Sequence, residues 1–384
     1  MVIQAVPITG EVLRWARDES GMSIDALAAE INVSPGQVEE WEVESGAPSR
    51  GQFSRLAEVL RRPSAVFLLP SVPEGSSVSP SLRSAPGLGG KPLGKEDLGA
   101  IRRAQRHQSI LSWYIRDRGS PPIDLPIYRP EADAATAGEN ARLTSEMGVE
   151  DQLEWTTDVQ AFRAWCTVLE WRGVFVQQAS LGREGVRGFS LWDDYAPLIV
   201  VNSAYHPTAR SYSLMHEYGH MLSRTVAACR DFVGSAEEDR STERWCERFA
   251  ASFLIPEQVL IQVASSRGIT EKHPASEPTV VRKVARRFRV SGRAMAIRLT
   301  DLGLGTRDLY SKFAAWSNRR DWSKGGGGGG ETRIEKRRRE LGHATIRTIL
   351  EALEAGRLNL RDATDYLSLS SNEVDELAAL SAGE

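Results

Sequence analysis

The residues best equipped for chemistry lie in Arg210-Ser-Tyr-Ser-Leu-Met-His-Glu-Tyr-Gly-His-Met-Leu222. On an α-helix, residues i and i+4 share a face, so His216 and His220 can point at one metal ion. Neutral imidazole suits zinc. Glu217, beside the first ligand, can take a proton from a water at the metal. Leu214, Met215, Tyr218, Met221 and Leu222 give that helix a buried side. The bland alternative is an ordinary core helix that matches H-E-x-x-H by chance. A metal also needs a third protein ligand. The next acidic helix with a suitable face is Glu243-Arg-Trp-Cys-Glu-Arg-Phe-Ala-Ala-Ser-Phe-Leu-Ile-Pro256. Glu243 follows His220 by 243 − 220 = 23 residues, enough for a turn and a returning helix. Glu243, Cys246, Glu247 and Ala250 share one face, while Phe249 and Phe253 suit the core. Glu243 is the expected third ligand. Glu247 is the alternative one turn later, and Cys246 is the thiolate option. The competing reading of Glu243 is a solvated carboxylate continuing the acidic Glu237-Glu238-Asp239 run.

These residues need a scaffold. Ala161 to Trp171 reads as an amphipathic helix that Gly173 stops. Strands are expected at Val174–Gln178, Gly188–Trp192 and Leu198–Asn202. An edge strand beside a metal helix can hold an extended peptide as an added strand. Leu198–Val201 or Gly188–Trp192 is the candidate edge, and the apolar 198–201 run suits a buried core strand equally well. Arg210 and Tyr212 could stabilise an oxyanion, but a salt bridge and core packing are favoured. His206 reads as a surface histidine, and Asn202 as a residue that orients the following loop.

Gly188-Phe-Ser-Leu, Pro197-Leu-Ile-Val-Val-Asn202, the H-E-x-x-H segment and Glu243-x-x-Cys-x-x-Phe-Ala-Ala-x-Phe-Leu-Ile-Pro256, in this order, resemble the ImmA/IrrE family of zinc metallopeptidases. The likeness runs over most of residues 155 to 300. It implies a zincin-like domain in which His216, His220 and Glu243 bind Zn2+ and Glu217 is the catalytic base. Cys246 departs from the family's usual alanine.

The whole chain has 384 residues, room for two or three domains, and a net charge of −3. There is no global basic footprint, so nucleic-acid binding would have to be local. Cys166, Cys229 and Cys246 form no C-x-x-C, which fits a reducing compartment. No apolar stretch reaches membrane-spanning length and no leader is apparent, so a cytoplasmic location is expected.

Residues 1–70 read as an all-α helix-turn-helix domain resembling XRE/Cro-type repressors. Ser23 caps one helix, Asn32-Val33 turn the chain, and Ser34 with Pro35 starts the recognition helix. Ser34, Gln37 and Arg50 are the candidate DNA contacts. Glu39, Glu40, Glu42 and Glu44 oppose phosphate, while Arg50, Arg55, Arg61 and Arg62 favour it. Docking of a partner protein is therefore an equal alternative.

Residues 71–94 form a Ser/Pro/Gly linker, with Ser81-Leu-Arg83 as a short anchored segment. The peptidase domain spans 95–323, core 155–265, and opens with a long helix from Lys95 to Arg118. Residues 128–152 are helical. A Gly-rich tether, 324–331, leads to a helical C-terminal domain, 332–384. Two further segments repeat the helix-turn-helix spacing. In 281–299, Ala285, Phe288, Val290 and Ser291 fall on Ala28, Ile31, Val33 and Ser34, with packing the favoured role. Residues 360–377 align without a gap on Ile24–Trp41.

The fold class is thus mainly α with a small β-sheet (α+β). The expected function is a regulatory zinc endopeptidase fused to a repressor-like domain. The family's substrates, helix-turn-helix repressors that control stress, phage or mobile-element genes, are implied by the resemblance. The rival is a transcription regulator or antitoxin of a toxin–antitoxin module whose peptidase fold binds or senses. Expected partners are a repressor substrate or a cognate toxin, operator DNA and a second copy of the chain, with no membrane.

Overall fold

The structure, a computed structural model, describes residues 5–20, 22–60, 62, 64–72, 95–129, 131–182, 186–224, 236–318 and 330–381. Arg61, Ser81-Leu-Arg83, Cys229 and all but Gly330 of the Gly325–Gly330 tether lie outside these residues. The chain divides into two compact units, Met1–Arg103 and Ala104–Glu384. Among the described residues, no helix is long and apolar enough to cross a membrane.

The first unit contains α1 (Gly10–Glu19), α2 (Ile24–Ile31), α3 (Pro35–Glu42), α4 (Arg50–Val59), a 3-10 turn (Ser64–Leu68) and the start of α5 (Lys95–Asp117). Its turn is built as the sequence dictates. The Ser23 side chain accepts the Ala26 N–H, Asn32 adopts φ 58°, and Ser34 and Gln37 close a reciprocal capping box. Asn tolerates the left-handed conformation because its short side chain can bond locally. Leu13, Leu27, Val38, Trp41, Leu56 and Phe67 form the core.

Two acidic residues expected to oppose phosphate are bonded within the unit instead. Glu42 is buried and accepts from Arg17 at 2.6 Å, tying α3 to α1. The Glu44 carboxylate accepts the Gly10 N–H at 2.8 Å, at the start of α1. Gly10 must be glycine, since a Cβ there would lie 2.4 Å from the Glu42 carbonyl oxygen. Two of the expected basic residues are also engaged. Arg62 stacks on Trp15 at 4.1 Å, and Arg55 pairs with Glu58 at 2.8 Å.

The second unit begins within α5 and continues with α6 (Ala134–Leu143), α7 (Val149–Glu154) and α8 (Asp158–Trp171). The helical 128–152 segment holds α6 and most of α7, with Glu146 at φ 58° between them. Then come β1 (Phe175–Ala179), β2 (Gly188–Leu191), β3 (Leu198–Asn202), α9 (Pro207–Ser223) and α10 (Ala236–Leu254). They are followed by α11 (Glu257–Ser265), α12 (Pro278–Phe288), α13 (Gly292–Asp301), α14 (Leu309–Asn318), α15 (Arg333–Leu341), α16 (His343–Glu354), α17 (Leu360–Leu367) and α18 (Ser371–Ser381).

The sheet order is β1-β3-β2, with β1 parallel and β2 antiparallel to β3. β3 is central and buried along its whole length, which explains its unbroken apolar run. The edge strand is thus Gly188–Leu191 rather than Leu198–Val201. The opposite edge, β1, is covered by the C-terminal helices. Gln178 donates to the Arg339 carbonyl at 2.7 Å and Gln177 to the Thr345 hydroxyl at 3.3 Å. Gly342, at φ 77°, presses so close that a Cβ would meet the Val176 carbonyl oxygen at 2.3 Å.

The two repeated segments fold as the first one does. Arg289 and Ser368, aligned with Asn32, take φ 53° and 51°. The same backbone bond closes all three turns: Val33 to Ala28 at 3.0 Å, Val290 to Ala285 at 3.1 Å and Leu369 to Thr364 at 3.2 Å. In α13, Ala294 and Ala296, aligned with the exposed Gln37 and Glu39, are buried, whereas Arg293 and Ile297 stay exposed.

Candidate metal centre

Helix α9 starts with His206 at its N-cap, whose ring accepts the Thr208 N–H, and Pro207 at the first helical position, where a missing N–H costs nothing. Leu214, Met215, Tyr218, Met221 and Leu222 are all buried. Gly219, inside the H-E-x-x-H, lets α10 approach closely. A Cβ there would lie 3.1 Å from the Phe249 ring and 3.5 Å from Cys246 Cβ. Tyr218 packs edge-on against Phe249 and Phe253, and Trp245 stacks on Phe249 at 5.4 Å. These aromatic contacts fix the register of the two helices, and that register sets the site.

Three side chains converge there. His216 Nε2 lies 3.2 Å from His220 Nε2. The Glu243 carboxylate oxygens lie 3.3 Å from His216 Nε2 and 3.2 Å from His220 Nε2. Ligand atoms about 2.0–2.1 Å from a tetrahedral ion stand about 3.3 Å apart, so this triangle has the size such an ion requires. Among the described residues, His216, His220 and Glu243 are the one group able to hold a metal ion in this way.

The charges agree with the geometry. Burial alone would raise the Glu243 carboxyl, but hydrogen bonds and charge from His216 and His220 outweigh it and hold the group at about 2. Burial alone would lower His216, yet Glu243 and Glu217 keep it above its ordinary value. A carboxylate and two imidazoles held together in this way could coordinate a metal ion.

The alternatives to Glu243 lie elsewhere. Glu247 is exposed and meets Tyr212 only through its backbone carbonyl, at 3.0 Å. Cys246 is fully buried against Gly219, and burial pushes its thiol up. Tyr212 thus bridges α9 to α10 rather than facing the cluster. Arg210 stacks on Phe162 at 4.8 Å and bonds Gln178, so packing is its role. Asn202 orients the loop after β1. It donates to the Gly182 and Val186 carbonyls and accepts from Leu181 and Ala204.

Glu217 is held by a residue that sequence reasoning missed. Ser190, buried in β2, donates its hydroxyl to the Glu217 carboxylate at 3.0 Å. Gly188, two residues earlier in β2, clears the same side chain, since a Cβ would stand 3.3 Å from Glu217 Cγ. The one sequence clue was Gly188-x-Ser190 in a strand, where both residues face the same side.

Of the candidate DNA contacts, Ser34, Gln37 and Arg50 are all exposed. Ser34 and Gln37 bond each other's backbone. The Gln37 amide oxygen accepts the Ser34 N–H at 3.2 Å, and Ser34 Oγ accepts the Gln37 N–H at 3.3 Å.

Comparison with known proteins follows the same division. No curated protein shows a match to the chain. Residues 169–300 match the peptidase M78 family, described as the IrrE N-terminal-like domain, and residues 13–67 match the helix-turn-helix family. The chain accordingly joins an N-terminal helix-turn-helix segment to a domain similar to the IrrE/M78 peptidase domain.

Proposed function

We propose that the chain is a zinc-dependent endopeptidase with regulatory purpose, its site formed by His216, His220, Glu243 and Glu217. The observation that carries this reading is the convergence of the two imidazoles and one carboxylate at 3.2–3.3 Å, with Glu217 beside them. Two nitrogens and one oxygen are a zinc donor set that leaves a position open. A zinc ion held there would supply the Lewis acid that acidifies water and polarises a peptide carbonyl.

The chain's own residues do the rest. Ser190 fixes the Glu217 carboxylate with one oxygen. Glu217 takes the proton of the attacking water and returns it to the leaving amine nitrogen. β2 lies against that carboxylate and has no further strand paired to it among the described residues. An extended peptide added along β2 would bring its backbone to the site in a fixed register.

The substrate class, a helix-turn-helix repressor, follows from the family resemblance, and the fused N-terminal domain would bring operator DNA or that repressor near. The zinc-loaded chain, incubated with a repressor of this class, is expected to yield two discrete fragments. Glu217→Gln should lower the cleavage rate by about 10²–10⁴-fold with zinc content unchanged. A chain that binds zinc yet cleaves equally fast as Glu217→Gln would overturn the role of Glu217. A chain that retains no zinc would leave the regulator or antitoxin reading.

A further inference from the structure

The three helix-turn-helix segments share a backbone but not a charge. Residues 23–44 hold six acids and no Lys or Arg, and residues 359–381 hold five acids and one Arg. Residues 277–301, which make up α12, its turn and α13, are the reverse. They hold seven Arg and Lys, and two acids, Glu277 and Asp301, which stand at the two ends. The whole chain carries −3, so the reversal is local.

Two of the seven cations are neutralised by the fold. Arg289 pairs with Asp158 at 3.5 Å, and the buried Arg298 with Glu139 at 3.4 Å. Arg282 is half-buried, 6.0 Å from the Trp316 ring. The other four, Lys283, Arg286, Arg287 and Arg293, are exposed. Among the described residues, Lys283, Arg286 and Arg287 make no ion pair, and the Leu153 carbonyl that accepts from Arg287 at 2.7 Å carries no charge.

Folding accounts for part of this face only. Val281, Val284, Ala285 and Phe288 form the buried side of α12, with Lys283, Arg286 and Arg287 opposite them. Arg286 and Arg287, in the last turn, suit the negative end of the helix. Lys283 stands three and four residues from them, where like charges repel. Arg293 lies in the first turn of α13, where a cation opposes the helix dipole. In the first two turns of α13, Arg293 and Ile297 are the exposed side chains, too few to spell out a base sequence. Ile297 is also the one large apolar side chain exposed on either helix. A protein partner would need an apolar or aromatic anchor at the centre of such a face. A phosphodiester backbone needs only the charges.

We propose that Lys283, Arg286, Arg287 and Arg293 bind the phosphate backbone of duplex DNA whatever its sequence. The inference needs neither zinc nor proteolysis, and it is separate from any sequence reading by α3. The test follows the full chain by fluorescence anisotropy on a labelled duplex, with salt raised from about 50 to 200 mM. A second duplex of unrelated sequence should bind equally well. Four phosphate contacts give log affinity a slope of about −3.6 against log salt, a loss of about 10²-fold over that range. Lys283→Gln combined with Arg286→Gln should bring the slope to about −1.8, with zinc content and melting unchanged. Arg293→Gln alone should remove about one unit of slope. Arg50→Gln, in the N-terminal unit, should leave the slope as it was.

No binding at the lowest salt, a slope unmoved by the double substitution, or a slope lowered by Arg50→Gln instead would overturn the proposal. Displacement of the labelled duplex by polyglutamate at a lower charge concentration than by unlabelled duplex would also overturn it, and would assign the face to an acidic protein.

Discussion

The metal cluster and the recognition face of α3 are both marked by short motifs, but they are built in opposite ways. At the cluster, polar atoms from two helices and a strand leave their own elements and meet one another: His216 and His220 from α9, Glu243 from α10, and Ser190 from β2 upon Glu217. On α3 the polar atoms of Ser34 and Gln37 turn back on their own helix end, and Glu39 and Glu40 stand in solvent. Capping is what any helix start demands, and folding alone explains it. Folding does not explain two imidazoles and a carboxylate brought within 3.3 Å of one another in a half-buried wall. Convergence against the cost of desolvation is the mark of a site.

The largest effects should fall on the convergent region. His216→Ala or Glu243→Ala should each take the zinc content from about one per chain to none, read by elemental analysis, because two remaining ligands do not hold the ion. Cleavage should vanish with it, while the melting of the N-terminal unit stays as it was. Retention of stoichiometric metal in Glu243→Ala would shift the third ligand elsewhere.

Ser190→Ala is a finer cut. Zinc content should hold, and the cleavage rate should fall about tenfold, the usual loss when an outer hydrogen-bond partner is removed. A rate equal to wild type would show that β2 does not position Glu217.

The smallest effect belongs to the self-contained region. Ser34→Ala should cost the N-terminal unit about 1 kcal/mol in denaturant unfolding, the ordinary worth of an N-cap, with zinc and cleavage untouched. If operator binding by this variant falls no further than its unfolded fraction dictates, Ser34 is a cap alone. A larger loss at full foldedness would make it a phosphate or base contact as well, and the contrast between the regions would narrow.

How much of this was legible follows the same line. Local patterns carried the H-E-x-x-H helix, its buried side, the returning helix with Glu243, and all three helix-turn-helix segments. The left-handed turn recurs at Asn32, Arg289 and Ser368 despite three different side chains, because the apolar spacing around it fixes the geometry.

Strand order was not legible. β3 comes last in the chain yet lies in the middle, and chain order alone does not say which of three strands is central. Without that order the meeting of Ser190 with Glu217, 27 residues apart, could not be read. Nor could the fate of Glu42. A carboxylate on a helix looks like a surface charge until Arg17, from another helix, reaches it.

The cover over β1 has one more consequence. An uncovered parallel edge strand offers its backbone N–H and C=O groups to any other extended chain, which is how soluble proteins start to polymerise. Here Gly342 and the α15–α16 corner lie on that edge, with Gln177 and Gln178 bonded outward to Thr345 and Arg339. The C-terminal helices are therefore a guard against self-association. A chain shortened before Glu331 would keep every metal-cluster residue and still be expected to aggregate, a loss that light scattering would register before any assay of catalysis.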